Sequence, residues 1–151
     1  PQQQSESLSQ MITAARGRAV LFPVIELLPV QQNRKITNLI ADLTAADLII
    51  FVSRNAVNYA ASAIPDFYKR IQDKLLLAVG AGTRQALEQQ GVTNSISTET
   101  GIGSEALLQL PQLQPAAVAC KHILIVRGVG GRELLEQRLR GIGADVNYLE
   151  V

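Results

Sequence analysis

The sequence has no tryptophan, a single cysteine, a single histidine and only 4% aromatic residues. With Cys120 alone, neither an intramolecular disulfide nor a cysteine metal cluster can form, and we interpret this residue as a small buried hydrophobe. The scarcity of aromatic residues argues against the stacking platforms that bind single-stranded nucleic acid. A formal net charge of +1 provides no polybasic surface. We therefore expect no nucleic-acid partner.

Long apolar runs are also missing. None approaches the roughly 20 residues of a membrane-spanning helix, and the polar start, residues 1–7, does not resemble a signal peptide. We therefore expect no membrane partner and a cytoplasmic location. The chain begins with proline rather than methionine and continues at once into a helical pattern. From this we expect that an upstream segment has been removed.

The first part of the chain predicts a helix and a strand. Apolar residues recur at helical spacing within residues 5–16, and Gly17 is placed to end the helix in a left-handed conformation. Residues 19–22 predict a strand, and residues 24–30 predict an extended crossing between domains. We place the boundary near Leu27. This divides the chain into a remnant of a first α/β domain, residues 1–27, and a second α/β domain, residues 28–151.

Beyond this boundary, apolar runs of about five residues alternate with helical segments, as in buried parallel strands joined by crossover helices. The predicted strands cover residues 48–52, 75–79, 122–126 and, with the alternation of an edge strand, 145–151. The predicted helices cover residues 35–43, 55–64, 83–90, 104–110 and 132–140. Residues 111–119 predict a solvated loop. We expect an α/β fold with a parallel doubly wound sheet of four or five strands, flanked by helices, in a flavodoxin-like or related order.

Four turns precede the predicted helices at the edge where the strands end. Ligands of open parallel sheets bind at this edge. The turns combine small residues, hydroxyls and arginines, which allow an anion to approach the free amides of a helix's first turn. The four turns are residues 53–55, 80–84, 100–104 and 127–132, so they also contain Thr100 and Arg132. We expect a ligand with several anionic groups, and the candidate binding residues are Ser53, Arg54, Asn55, Gly80, Ala81, Gly82, Thr83, Ser104, Arg127 and Gly128.

Other interpretations of these turns remain open. Glycines also serve tight turns, and hydroxyls also cap helices, without any ligand. Gly128 and Gly130 follow a strand, open a helix and precede Glu150 at about the spacing of a dinucleotide-binding fingerprint, but Glu133 takes the place of its third glycine. A Rossmann-like nucleotide- or dinucleotide-binding domain is the alternative enzyme class, and a non-catalytic anion-binding module is the third.

No nucleophile, metal site or acid–base pair stands out. The only histidine, His122, starts a predicted strand, and neither a serine–histidine dyad nor a histidine metal site can be assembled around it. We predict a structural role for it. An enzyme with this sequence would depend mainly on holding its substrate in a reactive shape.

The same turns resemble sequence blocks of the uroporphyrinogen-III synthase family. PVIE resembles the entry to the family's second domain, and FVSRNAV and AVGAGTRQAL resemble its first two turns. Further along, SEAL and VRGVGGRELL resemble the next helix and the last turn. Val52 stands where the family usually has threonine. The likeness extends over the whole chain, in the family's order.

The resemblance implies a monomeric lyase of heme biosynthesis. Such an enzyme closes hydroxymethylbilane into uroporphyrinogen III, with inversion of the last pyrrole ring and loss of water, and uses no cofactor. Every ring of that substrate carries an acetate and a propionate. The substrate is therefore a multiply anionic ligand of the kind that the turns predict.

The resemblance also implies positions for individual residues. Ser53 and Thr83 match hydroxyls of the family's cleft. The family tyrosine suggested to assist loss of the hydroxyl would lie just past Val151, and no residue of this chain is assigned a catalytic role. The chain resembles a truncated synthase, mainly its second domain, and we expect it to be poorly active by itself. Residues expected to line the same edge are Gly82, Ser104, Arg127 and Gly128.

Overall fold

The structure, a computed structural model, describes residues 5–30, 36–98, 103–131 and 133–151. Along these ranges the elements are α1 (Glu6–Ala14), α2 (Ile36–Ala45), β1 (Leu48–Phe51), α3 (Arg54–Ala63), α4 (Phe67–Ile71), β2 (Leu75–Ala78), α5 (Ala81–Gln89), β3 (Ile96–Ser97), α6 (Ser104–Leu107), a 3-10 helix (Pro111–Leu113), α7 (Pro115–Val118), β4 (His122–Arg127), α8 (Leu134–Gly141) and β5 (Asp145–Glu150).

The strands form one five-stranded sheet in the order β3-β2-β1-β4-β5, and every neighbouring pair is parallel. Ile49 of β1, for example, lies opposite Leu76 of β2 and Leu124 of β4. The predicted parallel doubly wound α/β fold is confirmed. Its strand order is 3-2-1-4-5, as in dinucleotide-binding folds, rather than the 2-1-3-4-5 of flavodoxin. Of the two strand orders expected, flavodoxin-like or related, the structure therefore has a related one.

Both faces of the sheet are buried under helices. Successive side chains of a strand point to opposite faces, so each strand contributes to two cores. Ile49 and Phe51 belong to a core that includes residues of α2, α3, α4 and α5. Leu48 and Ile50 belong to a second core that includes residues of α6, α7 and α8. Burial on both faces explains why the central strands are continuous apolar runs in the sequence.

Four features of the sheet region, residues 36–151, differ from expectation. The short strand β3 and the helix α4 were not predicted. Residues 111–119 were predicted as a solvated loop, but they contain the 3-10 helix and α7, and Leu113 and Val118 are buried in the second core. Proline at the start of a helical turn costs no hydrogen bond, so the prolines here begin helices. Cys120 is exposed rather than buried, in the left-handed conformation with φ 61°.

The N-terminal segment, residues 5–30, contains the predicted helix as α1. Arg16, with φ 62°, takes the left-handed conformation expected of Gly17, and the Gly17 amide donates to the Ile12 carbonyl. The strand predicted at residues 19–22 is wrong, because a strand exists only when a neighbour pairs with it and no described residue does so. Val20 and Phe22 are exposed.

No helix within the described ranges is both long and apolar enough to span a bilayer. Among the same residues, no three His, Cys, Asp or Glu side chains lie close enough together to hold a metal ion.

Candidate functional site

The strand order places a topological switch point between β1 and β4. From β1 the chain continues to β2 and β3 on one side, and from β4 it continues to β5 on the other. Crossover helices that leave in opposite directions open a crevice at the carboxyl ends of these two strands. The loops that follow β1 and β4 therefore form the centre of the candidate site.

The loop after β1 is organised by Ser53. Its backbone is extended, and its Oγ accepts a hydrogen bond from the Ala56 amide at 3.1 Å, which makes it the N-cap of α3. The cap satisfies one of the free amides at the helix start. Arg54 and Asn55 are the first two residues of α3, and the first turn contains no acidic residue. The hydroxyl predicted to bind a ligand thus also has a structural partner.

The loop after β2 is organised by glycine. Gly80 has φ 82° and serves as the N-cap of α5, and Ala81 begins the helix. Thr83 is only 3% exposed, and its Oγ1 donates to the Val79 carbonyl at 2.9 Å. This hydroxyl therefore lies inside the first turn of α5 instead of facing an open cleft.

Arg54 links these two helix starts. Helices α3 and α5 are neighbours, and the Arg54 guanidinium lies against Gly82, where an added Cβ would be 2.7 Å from Nη2. The absence of a side chain at Gly82 makes this approach possible. A cation at the positive end of a helix is unfavourable by about 0.3–1 kcal/mol. An anion bound beside Arg54 would remove this repulsion and bind both the guanidinium and the α5 amides.

Arg127 holds the loop after β4. Its side chain is 10% exposed, its Nε donates to the Gly128 carbonyl at 3.1 Å, and its Nη2 donates to the Gly130 carbonyl. Glu150 Oε1 lies 3.8 Å from Nε. These contacts direct the guanidinium into its own loop. The N-cap of α8 is Glu133, whose carboxylate disfavours an anion at that helix start.

A cavity of about 270 Å³ opens beside this loop. It combines the end of β1, the start of α6, the glycine-rich loop, α8 and β5. Its lining residues are Val52, Ser104, Ile125, Arg127, Gly128, Val129, Gly130, Gly131, Leu135 and Tyr148.

The predicted binding residues fall into two groups around the crevice. Ser104, Arg127 and Gly128 line the cavity, whereas the others stand at the starts of α3 and α5 on the same edge of the sheet. Thr100 and Arg132 lie outside the described residues. Sequence reasoning missed Tyr148 in the cavity wall. The alternating pattern of the last strand indicated the face on which Tyr148 lies, but not the residues of β4 beside it.

The parallel sheet, its switch point and the start of α3 with Arg54 together define a doubly wound parallel α/β protein with a crevice at the carboxyl ends of its strands. The family model described as "Uroporphyrinogen-III synthase HemD" matches residues 6–151. The uroporphyrinogen-III synthase of Escherichia coli is 36% identical over 132 residues, which cover 85% of this chain and 52% of that protein. The synthase of Salmonella typhimurium is 35% identical over 152 residues, which cover 99% and 61%. This chain belongs to the uroporphyrinogen-III synthase family.

Solved structures of the same name share the fold. A mutant uroporphyrinogen III synthase from Thermus thermophilus superposes with a TM-score of 0.62 at 19% identity and covers 98% of this chain and 57% of that one. The Helicobacter pylori protein gives a TM-score of 0.51 at 17% identity, over 91% of this chain and 55% of that one. This chain therefore spans little more than half the length of either solved relative.

Proposed function

We propose that this chain acts in the conversion of hydroxymethylbilane to uroporphyrinogen III, with inversion of the last pyrrole ring and loss of water. The observation that carries this proposal is the family match over residues 6–151. The reaction is that of a cyclising lyase in heme biosynthesis and uses no cofactor. The protein's contribution is to hold a flexible tetrapyrrole in the shape from which the ring closes.

The starts of α3 and α5 bind carboxylates of the substrate in this proposal. Support comes from Arg54, whose guanidinium lies on the first turn of α5 beside Gly82. Neither helix has an acidic residue in its first turn. An acetate or propionate there would accept charge-assisted hydrogen bonds, which are stronger than neutral ones. The loop held by Arg127 then forms the wall of the crevice rather than a second carboxylate site.

The proposal includes the organisation of the protein. Residues 1–27 belong to a first α/β domain and residues 28–151 to a second, and the protein is a cytoplasmic monomer that binds neither nucleic acid nor membrane. The near-balanced charge supports the absence of a nucleic-acid partner. Support for the boundary comes from Tyr59, whose hydroxyl donates to the Leu27 carbonyl at 3.0 Å, where the exposed segment reaches α3.

A binding titration tests the site. The probe is uroporphyrin III, the oxidised and stable form of the proposed product, and its fluorescence is followed as the chain is added. Arg54→Gln should weaken binding about tenfold, the size of one lost charge-assisted hydrogen bond. Gly82→Ala should have a similar effect because its methyl group displaces the guanidinium, and the two losses should not add in the double variant.

Arg138→Gln is the matched control, because it removes the same charge from the last turn of α8. It should leave the affinity unchanged. Equal losses in Arg54→Gln and Arg138→Gln would show that the probe senses net charge alone and would contradict the site. Binding of NAD or ATP without binding of uroporphyrin III would overturn the proposed function in favour of a nucleotide-binding domain.

Product analysis tests the reaction. Freshly generated hydroxymethylbilane is supplied to this chain and, as a positive control, to the E. coli synthase, and the oxidised products are separated by chromatography. Ring closure needs both ends of the substrate held together. This chain spans little more than half the length of its solved relatives, so we expect it alone to yield mostly the uninverted type I isomer. A type III yield equal to that of the control would contradict the expectation of poor activity. If neither binding nor type III product is found, the proposed function is wrong.

A further inference from the structure

The glycine-rich loop of residues 128–131 has little of its own to hold it in place. Gly130 and Gly131 have φ values of 78° and 97°, which glycine adopts readily but at a large loss of conformational entropy. The exposed Val129 adds no buried contact. The loop's conformation therefore depends on groups that bind its backbone.

Arg127 is such a group. Its Nε and Nη2 donate to the carbonyls of Gly128 and Gly130, so a single planar guanidinium joins both halves of the loop. The five donors of a guanidinium have fixed directions. The position of this one group therefore sets the position of the loop.

The ring of Tyr148 packs against the Arg127 guanidinium. The Arg127 Cζ atom lies 4.4 Å from the centre of the Tyr148 ring. Strand register explains the contact, since Tyr148 of β5 pairs with Ile125 of β4, two residues before Arg127 on the same face. A cation over an aromatic face is attracted to it, and more strongly where water is excluded.

The phenol of Tyr148 is itself fixed by α8. Its hydroxyl donates to Glu136 Oε2 at 2.9 Å, and Glu136 Oε1 pairs with Arg140 Nε at 3.0 Å. Arg140 also donates to the Val146 carbonyl on β5. Burial, followed by the hydrogen bond to Glu136, raises the pKa of Tyr148 above its ordinary value. The phenol therefore remains a donor at neutral pH.

We propose that Tyr148 is a positioning residue: its ring, anchored by Glu136, fixes Arg127 and through it the loop that walls the crevice. Its effect on ligand binding rests on the proposed function, whereas its effect on the loop does not. The competing explanation is that Tyr148 only fills the second core, against which it packs. The two explanations differ in what happens to the loop when the ring is removed.

The test compares Tyr148→Leu, Tyr148→Phe and Tyr68→Leu, the last removing a tyrosine from α4. Two readouts need no ligand: the ring-current shift of the Arg127 side-chain protons by NMR, and the conformational exchange of the backbone of residues 128–131, the loop exchange, by NMR relaxation dispersion. The third readout is affinity for uroporphyrin III. Tyr148→Leu should abolish the shift, accelerate exchange in the loop and weaken binding roughly fivefold, the size of one partly desolvated cation–π contact.

Tyr148→Phe keeps the ring and loses only the hydrogen bond to Glu136, so it should retain the ring-current shift of Arg127. Its loop exchange and its affinity for uroporphyrin III should lie between those of Tyr148→Leu and the unaltered chain. Tyr68→Leu should leave the loop unchanged. If Tyr148→Leu does not fold, loop exchange is compared between Tyr148→Phe and Tyr68→Phe, and we expect it to be faster in Tyr148→Phe. A lower melting temperature with unchanged loop exchange would overturn the positioning role. Faster loop exchange in a chain that binds no uroporphyrin III would support positioning and overturn the proposed function.

Discussion

The N-terminal segment and the sheet region contain similar apolar residues in opposite surroundings. Phe22 is 83% exposed, whereas Phe51 is fully buried and meets the Phe67 ring edge-on at a centroid distance of 6.0 Å. In the N-terminal segment, Leu8 and Met11 of α1 are also exposed. In the sheet region, apolar residues of both strands and helices form the two cores.

This difference shows that apolar character alone does not produce a core. Hydrophobic stabilisation grows with the apolar area removed from water, so an apolar side chain contributes little until a partner surface covers it. Residues 48–51 have such partners in β2 and β4 and in helices on both faces. Residues 19–22 have no paired strand among the described residues.

The largest expected effect comes from the same substitution made in both regions. Phe51→Ala should lower the free energy of unfolding by about 3–5 kcal/mol, because it leaves a cavity beside Phe67. Phe22→Ala should change it by less than about 0.5 kcal/mol, as is usual for surface sites. Urea denaturation followed by circular dichroism measures both. A loss above about 1 kcal/mol for Phe22→Ala would mean that the segment is covered in solution.

A smaller effect is expected where each region has a non-glycine residue in the left-handed conformation. Arg16 and Asp66 have φ values of 62° and 53°, and glycine at either position relieves about 1 kcal/mol of strain. Arg16→Gly should raise only the local helicity of α1, whereas Asp66→Gly should raise the free energy of unfolding of the sheet region. Residue-resolved hydrogen exchange separates the two. Equal global stabilisation by both would contradict independent regions.

The contact between the regions should contribute still less. Tyr59→Phe removes the hydrogen bond from the tyrosine hydroxyl to the Leu27 carbonyl, which is exposed and contributes about 0.5 kcal/mol. We expect greater mobility of the backbone near Leu27, measured by NMR relaxation, and an unchanged unfolding transition of the sheet region. Tyr68→Phe is the control. A clear shift of the main transition in Tyr59→Phe alone would show that the segment is part of the cooperative unit.

The smallest effect concerns pH. The Asp47 carboxylate accepts a hydrogen bond from the His122 amide and pairs with Lys121, and these contacts lower its pKa below the ordinary value. The ionised form therefore stabilises the folded state above the unfolded-state pKa, and this contribution is lost as the pH falls below about 4. Asp47→Asn should destabilise the sheet region slightly at neutral pH and not in strong acid. The helicity of α1 should show no such pH-dependent difference.

The strands at the centre of the sheet could be predicted from the sequence because they are buried on both faces. The predicted strand at residues 48–52 corresponds to β1 (Leu48–Phe51), and that at residues 75–79 to β2 (Leu75–Ala78). A continuous apolar run is a local signal of such burial. β3 has only two residues and no comparable run. The helical turns within residues 111–119 were missed because their glutamines and prolines are also typical of loops.

The edge of the sheet on which the candidate site lies could be predicted for a similar reason. Small and polar residues after a buried strand mark the edge where ligands bind, and Ser53 and Gly80 lie at helix starts there. The direction of each side chain was not predictable. Thr83 binds the Val79 carbonyl just before its own helix, and Arg127 binds its own loop. Both hydrogen-bond partners are backbone carbonyls, which every residue provides and which no sequence pattern distinguishes.

By itself the sequence determined the family, the fold class and the loops that lie at the carboxyl edge of the sheet, because these depend on local patterns of apolar runs, small residues and turns. Only the tertiary structure decided which side chains meet. Tyr148 reaches Arg127 through the register of β5 on β4, and Arg54 reaches Gly82 because α3 and α5 are neighbours. Such contacts join residues about 20 or more positions apart, and their geometry arises only when the strands pair and the helices pack.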